Sequence, residues 1–155
     1  MMESTTLDRL DRALLRAVQR DARQNLQQLA DACATSPSSA TRRLQRLERE
    51  GVITGYRAQV DPAKLGLSQD IFVELSLTSQ DQASMESFEQ AIKQVQQVQS
   101  CWLMAGDFDY LIHVLAANPR DYERLHRQLS ELPHVMRLKS SFALRRLMDR
   151  DISGD

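Results

Sequence analysis

The sequence predicts an α+β fold in two parts, a three-helix N-terminal domain followed by a βαββαβ domain of ferredoxin-like pattern. Leucines recur at helical spacing from residue 7. A Ser-Pro pair at 36–37 opens a basic helix that Gly51 closes. Beyond Gly66, strand-like and helix-like runs alternate twice in the same order. A length of 155 residues holds a small helical unit and one domain of ordinary size.

The first helix spans 7–20, with Leu7, Leu10, Leu14, Leu15 and Val18 on one face. A short second helix follows Asn25, which with Gln28 has the spacing of a capping box, and runs to Cys33. After Ala34-Thr35 the third helix, 36–50, starts with Ser36 as cap and Pro37 in the first helical position. The β-prone run 52–60 predicts a strand and linker. Then come a strand at 71–77, a helix at 85–98, strands at 100–105 and 110–116, a helix at 119–132 and a strand at 135–147. The predicted domains are 1–51, a connecting strand and linker 52–68, the βαββαβ domain 69–148 and a frayed tail 149–155. A sheet with both helices on one face leaves the other bare, and a second copy of the chain is the economical cover.

Composition fits a globular protein, with 42% hydrophobic and 26% charged residues. No apolar run approaches the ~18 residues that cross a bilayer, and the polar start MMESTTLDRLDR has no signal-peptide core. Cys33 and Cys101 give neither a disulfide framework nor metal spacing, and a reducing cytoplasm is expected. The net charge of −1 hides an asymmetry. Residues 1–60 carry ten Arg against seven acids, +3, while 61–155 carry ten basic against fourteen acidic residues, −4.

The third helix concentrates the basic residues. Ala40, Leu44 and Leu47 form its core face; Ser38, Ser39, Thr41, Arg42, Gln45, Arg46 and Arg49 lie opposite, with Arg43 at the boundary. Hydroxyls near a helix start, Gln for adenine and Arg for guanine or phosphate are what a major-groove helix needs, and the Ser36 end attracts phosphate. An Arg-rich solvated face is the plainer alternative. In the second half, Gly106-Asp107-Phe108-Asp109-Tyr110 reads as a tight turn that offers peptide N–H groups and carboxylates to a zwitterion, or simply as hairpin chemistry. His113, His126 and His134 share no ligand or triad spacing, and no phosphate loop or nucleophile elbow occurs, so no catalytic residue, metal or cofactor is assigned.

The order Leu7-Asp8, Asp21-Ala22-Arg23, Leu29-Ala30, Ser36-Pro37, Arg42-Arg43, Arg46-Leu47-Glu48, Gly51-Val52-Ile53 resembles the N-terminal half of the Lrp/AsnC (feast/famine) transcription regulators. MAGDFDYLIHV and LPHVMRLKSSFAL are similar to that family's effector-sensing half, so the resemblance covers Leu7 to Leu147. It implies a winged-type helix-turn-helix on double-stranded DNA and an ACT-like sensing domain. It also implies a homodimer, often an octamer of four dimers, that answers to an amino acid or related small molecule. The effector positions it implies are Leu103, Gly106, Asp107, Asp109, Ser141, Phe142 and Ala143, with Leu103 and Phe142 bounding an apolar slot in a pocket between dimers. The runs 102–106 and 140–142 look most like branches sensing sulfur-containing or branched-chain amino acids. The family's turn usually has Gly-Leu where this chain has Ala34-Thr35, a costly exchange if position 34 is left-handed. Siroheme decarboxylases also resemble the family, and an amino-acid-binding assembly module without DNA binding is the remaining alternative; the basic third helix argues against both.

Overall fold

The structure, a computed structural model, describes residues 6–152. Among them the order is α1 (Arg9–Arg20), α2 (Leu26–Ala32), α3 (Pro37–Arg49), a 3₁₀ turn at Pro62–Leu65, β1 (Gln69–Leu77), α4 (Gln82–Ile92), β2 (Val98–Leu103), β3 (Tyr110–Ala116), α5 (Pro119–Ser130) and β4 (Val135–Phe142). The chain divides into two compact units. One runs to Gln59 and takes in the tail from Met148; the other is Val60–Leu147.

In the first unit local chemistry sets each helix end. Asp8 caps α1 in a reciprocal box with Asp11, each carboxylate accepting from the other's peptide N–H. Asn25 and Gln28 form the box expected at α2. α2 then closes in a Schellman motif, with Thr35 N–H donating to the Ala30 carbonyl at 3.0 Å and Ala34 N–H to that of Asp31 at 3.2 Å. That closure puts Ala34 at φ +51, the left-handed conformation that glycine adopts at least cost. Ser36 accepts from Ser39 N–H, Pro37 stands in the first turn, and α3 ends in a second Schellman motif at Gly51, φ +70. Leu14, Leu29, Ala30 and Ala40 form the core that holds the three helices together.

Two expectations for this unit are corrected. Residues 52–60 form no strand: the Val52 and Ile53 N–H groups turn back to the Leu47 carbonyl, and the extended stretch after them has no partner strand. The tail does not simply fray, because the Gln19 carboxamide donates to the Ile152 carbonyl and accepts from its N–H, at 3.0 and 2.9 Å.

The second unit is a four-stranded antiparallel sheet of order β2-β3-β1-β4, the expected ferredoxin-like arrangement. One sheet face supplies Ile71, Val73, Leu75, Tyr110, Ile112 and Val114, and α4 and α5 cover it with Phe88, Ile92, Leu125 and Leu129. α4 starts earlier than expected because Asp81 caps it, accepting from Ser84 N–H, and stops at Ile92 instead of 98. Val98 belongs to β2, where it pairs with Val114. β4 stops at Phe142 instead of 147: Phe142 pairs with Ile71, the Ala143 N–H makes a last bond to the Asp70 carbonyl, and the chain then leaves the sheet while β1 stays paired with β3 as far as Gln69.

The left-handed Ala34 yields a direct expectation. Relief of its Cβ clash gains about 1–2 kcal/mol, and glycine's extra unfolded-state freedom takes back about 0.5–1. Ala34→Gly is therefore expected to stabilise the chain by roughly 0.5–1 kcal/mol in urea unfolding, and a destabilised variant would contradict the turn geometry.

Candidate functional site

The face of α3 opposite Ala40 and Leu47 is narrower than its sequence suggested. Ser38, Arg42, Gln45 and Arg49 are exposed and recur at four, three and four residues, one stripe along the helix. Ser36 is exposed but its hydroxyl caps the helix and lies 3.2 Å from that of Ser38. Ser39 and Thr41 are half-buried, and the Thr41 hydroxyl donates back to the Pro37 carbonyl.

Arg43 and Arg46, expected on the DNA-facing set, are half-buried and held by the carboxylates at the head of α1. Arg43 Nη1 lies 2.6 Å from Asp8 Oδ2 and 2.8 Å from Asp11 Oδ1, while Arg46 Nη2 lies 2.5 Å from Asp11 Oδ2. The Asp11 side chain is 1% exposed, so one carboxylate removed from water bridges two guanidiniums and ties α3 to α1. The Asp11 N–H first, and Arg43 second, hold the Asp8 carboxyl below its ordinary value. Asp11 first, and Asp8 second, push the Arg43 guanidinium further up. Asp8, Arg42, Arg43, Gln45, Arg46 and Arg49 line one groove of about 380 Å³. Asp8 and Asp11 were missed in the sequence because their capping spacing at the head of α1 gives no sign of which basic residues they meet 32 to 35 positions away; the acidic first turn opposite an Arg-rich helix was the available signal.

The turn between β2 and β3 is also reassigned in part. Gly106 and Asp107 are exposed, and Gly106 stands at φ +155, within glycine's range. Asp109 is buried, and its carboxylate already accepts from Leu77 N–H at 2.7 Å and from Gln80 Nε2 at 2.6 Å. It anchors the turn to the end of β1, with both oxygens engaged inside the chain. Leu103 and Phe142 do not meet within one chain. Leu103 pairs with Tyr110 level with Leu75, whereas Phe142 is level with Ile71 on the opposite edge. Strand rise and spacing put them roughly 20 Å apart. Phe142 instead meets Tyr122 edge-on at 5.1 Å, and the neighbouring Ser140 hydroxyl bonds that of Tyr122. Ser141 and Ala143 are exposed beside it.

The sheet face turned away from the helices carries Phe72, Trp102, Leu111 and Leu115, with His113 stacked on Phe72 at 4.8 Å and bonded to Asp70 at 2.6 Å. Lys139 and Glu74 pair across β4 and β1 at 3.1 Å. Phe72 is 37% and Trp102 48% exposed, large for apolar side chains on a bare sheet. Cys33 and Cys101 are free thiols that burial pushes up, Cys101 to about 11, which leaves little reactive thiolate at neutral pH.

A helix-turn-helix and a ferredoxin-like domain in this order define a class of DNA-binding regulator, and the comparisons with known proteins bear that class out. Residues 7–54 match the winged helix-turn-helix DNA-binding domain, and residues 70–152 the Lrp/AsnC ligand binding domain. The chain belongs to the Lrp/AsnC family of transcription regulators. It is 37% identical to the Bkd operon transcriptional regulator of Pseudomonas aeruginosa, over 93% of this chain and 95% of that one. It is 32% identical to the proline dehydrogenase transcriptional activator of Rhodobacter capsulatus, over 94% and 95%. Its fold matches a Neisseria meningitidis transcriptional regulator solved with L-methionine, with a TM-score of 0.88, 27% identity and coverage of 93% and 94%.

The anchoring of Asp109 changes what its removal does. Asp109→Ala leaves the buried Leu77 N–H without an acceptor, at a cost of about 1–3 kcal/mol. Chemical unfolding is expected to show that loss, with Asp109→Asn recovering much of it; equal stability of all three proteins contradicts the anchor.

Proposed function

We propose that this regulator reads DNA with the Ser38–Arg42–Gln45–Arg49 stripe, acts as a homodimer and answers to an amino acid bound at the 106–107 turn, without enzymatic activity. The stripe carries the reading. It is exposed along one line of a helix whose entry is fixed by a tight turn and whose opposite side is buried, the arrangement that lays a helix in the major groove. Gln45 suits adenine and Arg42 or Arg49 guanine, while the other of those two arginines holds phosphate.

The bare sheet face supports dimerisation, since a second copy would bury its exposed Phe72 and Trp102. The same pairing presents two α3 helices to half-sites about one helical turn, ~34 Å, apart or a multiple of it. The effector reading rests on the exposed Gly106 and Asp107, which offer peptide N–H groups for a carboxylate and an acceptor for an ammonium. It rests also on the L-methionine complex of the Neisseria relative. Since Leu103 and Phe142 stand far apart in one chain, the slot they bound forms only between chains, and octamers of four dimers are the assembly in which it would form.

Three experiments test this. Duplexes selected from a randomised pool should be bound specifically, and Arg42→Ala should weaken them by roughly 1–3 kcal/mol if it meets a base. If Arg42 holds phosphate, affinity should fall evenly across sequences and the salt slope by about one. Undiminished binding by a folded Arg42→Ala/Arg49→Ala variant contradicts the assignment. Calorimetry against the twenty amino acids, L-methionine first, should give heat for at least one, with a change of size in sedimentation. Trp102 is the chain's one tryptophan, so its emission should shift to the red on dilution as the dimer separates. A strictly monomeric chain with no ligand heat overturns the assembly and effector readings.

A further inference from the structure

We propose that Asp11, assisted by Asp8, is a positioning residue for DNA selectivity: from α1 it withholds Arg43 and Arg46 of α3 from the DNA and leaves the groove to the exposed stripe. The inference rests on the DNA-binding reading above and deepens it.

Four arginines stand on α3, and any of them could strengthen binding to any duplex, because attraction to phosphate is independent of sequence. Two are taken out of that competition. Arg43 is engaged by two carboxylates and Arg46 by one, all at charge-assisted distances of 2.5 to 2.8 Å, with Glu50 Oε2 a further 3.9 Å from Arg46 Nε. A guanidinium so held has its charge compensated and its position set by the carboxylates, so it offers a guanine or a phosphate less than an exposed arginine does. The Nε atoms of both arginines are buried, so these side chains lie against the domain surface instead of reaching outward. Arg42 and Arg49 are exposed on the stripe, where a groove is met.

Asp8 adds a second effect. It lines the same groove as the four arginines and brings a negative charge to the place a phosphate would enter. The carboxylates thus lower the indiscriminate part of the affinity and leave the base-reading side chains free, which raises the ratio of specific to non-specific binding. The selectivity of α3 is set in part from a different helix.

The test uses the full chain, a duplex selected from a randomised pool and a shuffled duplex of the same composition, over a range of salt concentrations. Asp11→Asn keeps the size of the side chain and removes its charge. Asp8→Asn does so while keeping a cap of equal strength, so it carries the test if Asp11→Asn fails to fold. Asp31→Asn makes the same charge change on α2, at a carboxylate bonded to Gln27 and outside the lining of the groove. We expect the shuffled duplex to bind more tightly to both groove variants and the salt slope to steepen by about 0.9 for each arginine released. The selected-to-shuffled ratio should fall, most in Asp11→Asn, while Asp31→Asn stays near the unsubstituted chain. Slopes and ratios equal to those of Asp31→Asn in folded Asp8→Asn and Asp11→Asn overturn the proposal and leave DNA binding standing. An unsubstituted chain that binds neither duplex overturns the DNA-binding reading as well.

Discussion

A carboxylate taken out of water must be paired, and the first unit is arranged around one that is. Asp11 is fully buried in the first turn of α1, where it closes the helix cap with Asp8 and receives Arg43 and Arg46 from α3. Apolar packing among Leu14, Leu29, Ala30 and Ala40 brings the three helices together without directional preference. The ion bridge supplies the direction. It fixes the rotation of α3 about its own axis, and that rotation decides which residues face outward.

The second unit depends on β1 in the same way. As the strand between β3 and β4, it buries Ile71, Val73 and Leu75 beneath the helices and presents Phe72 and Glu74 on the bare face. Its far end receives the β2–β3 turn through the Asp109 carboxylate on Leu77 N–H and the Asp109 N–H on the Leu75 carbonyl. The exposed tip, Gly106 and Asp107, is therefore carried on a base that is held from two sides.

Much of this was legible in the sequence because local chemistry decided it. Caps at Asn25 and Ser36, the stop at Gly51 and the alternation along β1 and β3 are written in neighbouring residues, and so was the strain at Ala34. What failed depended on partners distant in the chain. Residues 52–60 have strand propensity but no strand to pair with, and β4 leaves its pairing with β1 after Phe142. Arg43 and Arg46 look like the other arginines of α3 until Asp8 and Asp11 are folded against them. Asp109 looks like a free turn acid until Leu77 and Gln80 reach it.

The central claim is that the outward stripe of α3, and not its whole basic content, meets the DNA. Nitrogen-resolved NMR of the arginine guanidiniums, during titration of the chain with a bound duplex, observes this directly. The account predicts that Arg42 and Arg49 signals move as duplex is added while those of Arg43 and Arg46 stay where the free protein has them. Movement of Arg43 and Arg46 in step with Arg42 and Arg49 would contradict it.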